Sequence, residues 1–159
     1  MKELLPIYTE RVKIMETSID DIDLILKMDK QESTQKYLGG IKDKSREERI
    51  EFLKNKKNSL TVLLDDIRIG FVGLKIDNNI AEISYIFDSD YTSKGYCSEV
   101  VKELVNIAFN KLNLNKLYAY SKEDNVASIK VLTKNGFVNK DSNNKEFIYY
   151  EMERGSLWK

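Results

Sequence analysis

The chain has 159 residues, of which 42% are hydrophobic, enough for one hydrophobic core of ordinary domain size. Its 26 basic residues balance its 26 acidic residues, so no net charge favours nucleic acid or an anionic membrane surface as a partner. Histidine is absent, which excludes the usual general base of a catalytic triad and the most common transition-metal ligand. We therefore expect a single domain over residues 1–159 that requires no metal.

The compartment can be predicted from the cysteine content and from the lengths of the apolar runs. The only cysteine is Cys97, which cannot form a disulfide within the chain and so fits a reducing compartment. Charged residues interrupt every apolar run well before the roughly 20 residues that would span a bilayer. We expect a cytoplasmic protein that does not bind membranes.

The N-terminal part of the chain predicts one strand followed by two short helices. Residues 11–15 alternate polar and apolar side chains, as a half-buried strand does. Thr17 or Ser18 is the expected N-cap of the first helix, and Ser45 with Glu48 forms a capping box at the start of the second. The apolar stripe of the first helix comprises Ile22, Ile25, Leu26 and Met28.

The middle of the chain is rich in predicted strands. They are expected over residues 60–64, 67–76 and 81–87. Residues 65–66 and 77–79 consist of Asp and Asn, which are typical of hairpin turns. The pattern predicts an antiparallel meander of three strands.

The C-terminal part alternates strands with two more helices. Gly95 opens a long helical pattern, and Asn125 caps a helix that runs through Lys134 and ends at Gly136. Apolar residues of the long helix recur at three- and four-residue spacing: Val100, Val101, Leu104, Val105, Ala108 and Phe109. Strands are expected over residues 117–121 and 147–152, and an extra short strand over 137–138 is the alternative that gives seven strands instead of six. The whole order predicts an α/β fold with a mixed, mostly antiparallel sheet of six to seven strands flanked by helices.

The junction over residues 91–99 leads from a strand directly into a helix and can bind phosphate. The first N–H groups of a helix have no partner within it, Gly95 lets a ligand approach the backbone, and Lys94 adds positive charge. An ordinary strand-to-helix turn is the alternative. The junction lacks the Walker spacing and Gly70-x-x-Gly73 is not a dinucleotide fingerprint, so nothing indicates a nucleotide hydrolase or a Rossmann domain.

Several segments, in order along the chain, together resemble the GNAT superfamily of N-acetyltransferases. They are residues 81–88, 91–99, 125–128 and 136–137, preceded by 9–11 and 37–40. The resemblance covers nearly the whole chain and is closest to the branch that acetylates the N-termini of ribosomal proteins (RimJ/RimL-like). It implies acetyl-CoA as cosubstrate and a splayed pair of strands that receives the pantetheine arm.

The resemblance also implies which residues bind the cofactor, taken position by position. The strand end would pair with pantetheine, the loop would hold the pyrophosphate, and the helix at Asn125 would lie near the thiol. These residues are Ile86, Phe87, Lys94, Gly95, Tyr96, Cys97, Ser98, Asn125 and Ser128. From its residue type alone, Asn125 is a helix N-cap, and the two roles are compatible.

Glu82 matches a carboxylate that accepts the amine's proton in some GNAT branches, and a solvated strand carboxylate is the alternative. Ser128 or a water is the expected acid for the leaving thiolate, because the tyrosine that many GNAT enzymes use would fall at Leu132. The loop also departs from the family at Thr92 and Ser93, which predicts fewer contacts to the pyrophosphate.

Two further features have alternative explanations. A thiol at a helix N-terminus has a lowered pKa, so Cys97 could act as a covalent nucleophile, although no histidine is present to activate it. Tyrosines at alternate strand positions could line an acceptor groove or simply pack the sheet; they are Tyr118, Tyr120, Tyr149 and Tyr150. Asp88 is expected to be a turn residue.

The sequence therefore predicts an acetyl-CoA-dependent N-acetyltransferase that acts in a ternary complex on a primary amine, with a protein or peptide N-terminus as the expected acceptor. The alternatives are a small-molecule acetyltransferase acting on aminoglycosides, polyamines or amino sugars, and a non-catalytic acyl-CoA-binding module. The acceptor loops over residues 31–45 and 141–145 carry no recognisable motif. A monomer and a homodimer are both compatible with the sequence.

Overall fold

The computed structural model describes residues 1–140 and 146–156, so the expected acceptor loop over residues 141–145 lies outside the described residues. Within these ranges eight strands form one sheet in the order β1-β2-β3-β4-β5-β6-β8-β7. The strands are β1 (Ile7–Tyr8), β2 (Lys13–Glu16), β3 (Ser59–Leu64), β4 (Ile67–Asp77), β5 (Ile80–Phe87), β6 (Lys116–Ser121), β7 (Val138–Lys140) and β8 (Ile148–Glu153). The predicted mixed, mostly antiparallel α/β class is confirmed, and β1 raises the strand count to eight.

Five α-helices lie within the same described ranges. They are α1 (Ile22–Asp29), α2 (Glu32–Gln35), α3 (Arg46–Asn55), α4 (Tyr96–Asn110) and α5 (Val126–Lys134). In that part of the chain none of the helices is both long enough and apolar enough to cross a membrane.

The chain divides into two compact units, the first of residues 1–73 with 85–96 and the second of residues 74–84 with 97 onward. The first unit contains α1, α2 and α3 with the first strands, and the second contains most of α4 with α5 and the last strands. A single domain over residues 1–159 stays a prediction.

The core of the first unit lies between α1, α3 and β4. It consists of Ile22, Leu24, Ile25, Met28, Leu53 and Phe71, with Leu26, Ile50 and Ile86 packed against it. Ser18 caps a short 3-10 turn, Ile19–Asp21, that precedes α1, whereas Thr17 bonds to the Ser59 and Thr61 hydroxyls at 3.0 Å. The predicted capping box of Ser45 and Glu48 at α3 is confirmed.

Two buried carboxylates tie the helices of the first unit to their surroundings. Asp29 on α1 accepts two hydrogen bonds from the Arg49 guanidinium on α3, at 2.6 and 2.7 Å. Asp21 accepts from Arg68 Nε at 2.6 Å and from Thr61 Oγ1 at 2.8 Å. Buried charges are tolerated only when they are paired in this way, so both pairs fix the position of α1.

In the second unit α4 buries the apolar face that its spacing predicts, including Val100, Leu104 and Ala108. Strand β5 pairs with β6 in parallel over Ile80–Glu82 and Lys116–Tyr118, and β5 then runs on to Phe87. Beyond β6, the β6–β8 and β7–β8 ladders are antiparallel. The parallel ladder thus covers three residues of an eight-residue strand, an arrangement expected of a splayed pair.

Candidate functional site

The end of β5 in the first unit is held by a network of side chains from α1 and the segment that follows it. Gln31 donates from Nε2 to Asp88 Oδ1 at 2.9 Å and accepts from the Ser89 N–H at 3.0 Å. The Asp88 N–H donates to the Ile69 carbonyl at 2.9 Å. Two expected pantetheine contacts, Ile86 and Phe87, therefore lie on a strand end whose continuation is fixed by hydrogen bonds.

Asp88 is more than the expected turn residue. Its side chain caps the 3-10 turn Ser89–Tyr91, is 1% exposed, and accepts from Lys27 Nζ at 2.7 Å. Burial by itself disfavours the carboxylate, but the bonds from Lys27, the Asp90 N–H and Gln31 outweigh it and lower the pKa of Asp88. Hydrogen bonds to Asp88 and Asp90 in turn raise the pKa of Lys27.

Gly70 on β4 lies directly against the end of β5. A Cβ atom at this position would stand 2.7 Å from Phe87 Cγ and 2.9 Å from the Ile86 carbonyl oxygen, closer than real Cβ contacts allow. Glycine in a strand interior often marks such a close approach. The absence of a side chain at residue 70 therefore allows the Ile86–Phe87 backbone to take its position.

The expected pyrophosphate loop of the first unit has two residues in the left-handed region, Ser93 with φ 61° and Gly95 with φ 85°. Lys94 is exposed and its Nζ lies 5.6 Å from the centre of the Tyr91 ring. Arg11 donates to the Lys94 carbonyl at 3.0 Å, and its guanidinium carbon lies 4.3 Å from the centre of the Tyr96 ring. The loop is thus exposed, carries a lysine, and contacts an arginine 83 residues earlier in the chain.

In the second unit Cys97 does not fit the description of an activated thiol. Burial raises the pKa of the Cys97 thiol to about 12, although its position at the start of α4 would favour a thiolate. Desolvation therefore outweighs the helix dipole, and the expected lowering of the pKa is wrong. The thiol is therefore protonated at neutral pH, which argues against a covalent role.

The residues around the start of α5 make the expected cap. Asn125 Oδ1 accepts from the Ser128 N–H at 3.2 Å, which confirms Asn125 as the N-cap. Asn135 closes the other end of α5 and donates to Ser98 Oγ at 3.1 Å. Ser98 is thereby connected to α5, and Asn125 and Ser128 are connected to each other.

Glu82 lies opposite Tyr118 at the last paired position of the parallel ladder. Its side chain is half-buried, and among the described residues it makes no hydrogen bond or ion pair. Leu132 is fully buried in α5, so it packs in the interior. An uncompensated carboxylate at the point where two strands stop pairing is a candidate proton acceptor.

Three tyrosines cluster on the same face as Glu82. The ring centres of Tyr118, Tyr120 and Tyr149 lie 5.4 to 6.0 Å apart. The Tyr149 hydroxyl donates to Glu151 at 3.0 Å, and Tyr120 is exposed. Tyr150 is 4% exposed and belongs to the core, so the grouping of four expected from the sequence reduces to three.

Sequence reasoning assigned no site role to four residues that contact the expected site, namely Arg11, Lys27, Gln31 and Gly70, although Arg11 lies in a segment that resembles the family. Their contacts join segments that are far apart in the chain, and only Gly70 gave a local signal, as a glycine inside an apolar strand. Within the described residues no group of three or more Cys, Asp or Glu side chains could hold a metal ion.

Residues 11–138 match the family model described as an acetyltransferase (GNAT) domain. The chain belongs to the GNAT family. The resemblance predicted from the sequence is confirmed at this level, and the chain is an acetyltransferase. The roles of the individual site residues stay predictions.

Two relatives among curated proteins are named as uncharacterized N-acetyltransferases. The protein p20 of Bacillus licheniformis is 28% identical over 144 residues, which cover 82% of this chain and 81% of that protein. YjdG of Bacillus subtilis is 33% identical over 82 residues, which cover 50% of this chain and 49% of YjdG. The matched region thus spans about half the length of YjdG.

Solved structures of GNAT acetyltransferases share the fold. A Bacillus anthracis GNAT acetyltransferase superposes with a TM-score of 0.83 at 21% identity, over 94% of this chain and 98% of that chain. Spermidine N-acetyltransferase of Vibrio cholerae, in complex with CoA and spermine, gives 0.78 at 16% identity over 94% and 99%. Ribosomal-protein-S5-alanine acetyltransferase of Vibrio fischeri gives 0.70 at 16% identity over 95% and 97%.

Proposed function

We propose that this protein transfers the acetyl group of acetyl-CoA to a primary amine, and that the acceptor is the N-terminal α-amine of a protein or peptide. The observation that carries this proposal is Glu82, a half-buried carboxylate without a described polar partner at the end of a three-residue parallel ladder. Such a group can accept a proton from an incoming ammonium.

The reaction is a direct attack in a ternary complex. The amine, deprotonated by Glu82 directly or through a water, attacks the thioester carbonyl, and backbone N–H groups of β5 polarise that carbonyl. The C–N bond forms, the C–S bond breaks, and CoA leaves as its thiolate. Ser128 or a water then supplies the proton that the thiolate takes up, since Leu132 has none to give.

Deprotonation of the amine favours an α-amine as acceptor. With ordinary pKa values of about 8 for an α-amine and about 10.4 for lysine, deprotonation at pH 7 costs about 1.4 and about 4.6 kcal/mol. Here Glu82 is the one candidate base, and Leu132 stands where many GNAT enzymes have a tyrosine acid. This limited set of groups suits acetylation of an α-amine, which is easier to deprotonate than lysine. This supports assignment to the ribosomal-protein N-terminal branch.

Acetyl-CoA is a substrate of the reaction and supplies the activated acetyl group. The features of the first unit that suit it are the exposed Lys94, the left-handed Gly95 and the fixed strand end at Ile86 and Phe87. Those of the second unit are Ser98, Asn125 and Ser128 together with the half-buried Cys97. Tyr96 would close the pyrophosphate loop at the first residue of α4.

A small-molecule amine is the second candidate acceptor, and the tyrosine cluster favours it. Three aromatic rings beside Glu82 and Glu151 can bind a cation through their faces, as aromatic cages do for ammonium groups. A polyamine carries such cations on an apolar chain. The same surface would also accept a peptide whose first residues are basic.

A panel of acceptors tests the proposal. Purified protein is incubated with acetyl-CoA and, separately, with short peptides, spermidine, an aminoglycoside and an amino sugar, and free CoA release is followed. We expect release with unblocked peptides and none with the same peptides acetylated at the N-terminus. Faster CoA release with spermidine than with peptides would make a polyamine the acceptor. No CoA release with any amine would support the alternative of a non-catalytic acyl-CoA-binding module.

A further inference from the structure

Arg11 contacts the expected pyrophosphate loop at three consecutive residues of the first unit. Its Nη1 donates to the Lys94 carbonyl at 3.0 Å, and its guanidinium lies over the Tyr96 ring at 4.3 Å. Between these, a Cβ atom on Gly95 would stand 3.1 Å from Arg11 Nη2. The guanidinium therefore packs directly on the Lys94–Gly95 peptide.

The hydrogen bond to Lys94 sets the direction of the next N–H group. In a planar trans peptide the carbonyl and the N–H point in opposite directions. Because the Lys94 carbonyl is directed at Arg11, the Gly95 N–H is directed away from it. This is the backbone donor that a phosphate approaching the exposed side of the loop would meet first.

The loop needs such a restraint because its own residues do not fix it. Ser93 and Gly95 both have positive φ, and glycine adopts either sign of φ almost equally well. The Lys94–Gly95 peptide can therefore flip at low cost unless something holds its carbonyl. The residues at positions 92 and 93, Thr and Ser, also differ from those usual in the family.

We propose that Arg11 is a positioning residue for the phosphates of CoA, acting through the Lys94–Gly95 peptide. The role rests on the proposed use of acetyl-CoA and assigns a function to a side chain of the N-terminal segment. It requires the planar guanidinium, which stacks on Tyr96 while donating to Lys94; the point charge of a lysine cannot do both.

The test compares an acyl donor that carries phosphates with one that has none. Wild type, Arg11→Met and Arg11→Lys are assayed with acetyl-CoA and with S-acetylpantetheine, which has the same thioester but no pyrophosphate. CoA binding is measured by calorimetry. Arg46→Met is the matched control, since Arg46 is an exposed arginine of the same unit that pairs with Asp23.

We expect Arg11→Met to weaken CoA binding about 10-fold, the effect of losing one stacking contact and one hydrogen bond. The kcat/KM for S-acetylpantetheine should stay within about two-fold, and Arg11→Lys should resemble Arg11→Met. Equal losses of kcat/KM with both acyl donors would mean that Arg11 only stabilises the fold. Full recovery of CoA affinity in Arg11→Lys would mean that only the positive charge of Arg11 matters. Either result overturns the proposal.

Failure of the proposed function gives a different pattern. If no amine is acetylated by the wild type, the calorimetric arm still decides whether Arg11 affects CoA affinity. A wild type that does not bind CoA at all would overturn both proposals. Unchanged CoA affinity in Arg11→Met, with normal turnover, would overturn only the role of Arg11.

Discussion

Glu82 and Tyr118 face each other at the last pair of the parallel ladder between β5 and β6. Burial, and then the charge of Glu82, raise the pKa of Tyr118. The phenol therefore stays protonated at neutral pH, and its oxygen is a neutral acceptor on the same face as the carboxylate. A carboxylate and a phenol oxygen can both accept hydrogen bonds from an ammonium, whose proton the carboxylate can then take.

Replacement of this carboxylate tests its role as base. Glu82→Gln keeps the shape of the side chain but removes its basicity, so kcat with the best amine should fall by about 10² to 10⁴ at neutral pH. The lost rate should partly return at high pH, where the free amine is already deprotonated. The measurement is kcat against pH, with Glu153→Gln, an exposed carboxylate of the same unit, as control. Parallel pH profiles that differ less than about five-fold would remove Glu82 from the mechanism.

Substitutions at Gly95 and at a control glycine test the expected cofactor loop, with the melting temperature as the measurement. CoA should raise the Tm of the wild type by mass action, and Gly95→Glu should abolish the shift because it places a negative side chain on the loop. Gly155→Glu is the matched control, since Gly155 has the same φ of 85° and open space around it. A preserved shift in a folded Gly95→Glu variant would place the cofactor elsewhere.

The thiol of Cys97 should be dispensable for activity. Cys97→Ala should keep activity within a few-fold, and iodoacetamide should modify native Cys97 far more slowly than a free cysteine, because burial holds its pKa near 12. Mass spectrometry gives the alkylation rate. A loss of activity beyond about 10³ with CoA binding intact would revive a covalent acetyl-cysteine.

The buried pair between α1 and α3 should matter to stability far more than an exposed pair on the same helices. Asp29→Asn should lower the free energy of unfolding by about 3 kcal/mol, because the Arg49 charge loses its partner in a largely buried position. Asp23→Asn, which breaks the exposed pair with Arg46, should cost under about 1 kcal/mol. Urea titration measures both, and equal losses would contradict the argument from burial.

Asp88 should make stability depend on acid pH. Its folded pKa lies below the ordinary 3.8, so the carboxylate stabilises the folded state fully above that value. The stabilisation is lost as pH falls through the folded pKa. The difference in unfolding free energy between wild type and Asp88→Asn should therefore be largest near pH 7 and shrink towards pH 3. If the difference in unfolding free energy grew on acidification, the pKa of Asp88 would have to be raised in the folded state, which contradicts the prediction.

Local patterns predicted the elements whose signals lie within a few residues. The capping box of Ser45 and Glu48, the Asn125 cap and the two hairpin turns were all predicted in this way. Strand β1 was missed because two residues cannot show an alternation of period two. Helix α2, with four residues, is likewise shorter than one apolar repeat.

Contacts between distant parts of the chain were not predictable in the same way. Lys27 and Asp88 are 61 residues apart, and Arg11 and Lys94 are 83 apart, so nothing local indicates that either pair forms. The Cys97 pKa was predicted in the wrong direction because a helix position is visible in the sequence, whereas desolvation depends on the packed surroundings.

Gly70 offers a way to move the strand end at Ile86 and Phe87 without replacing any residue expected to contact acetyl-CoA. An added methyl group must push against Phe87 and the Ile86 carbonyl, and the Asp88 N–H that bonds to the adjacent Ile69 gives the strand end little room to retreat. The position of the Ile86–Phe87 strand end, which the proposed contact with pantetheine would use, is therefore set partly from the neighbouring strand. Variation at residue 70 is a route by which a relative of this enzyme could shift that strand end while keeping both of its residues.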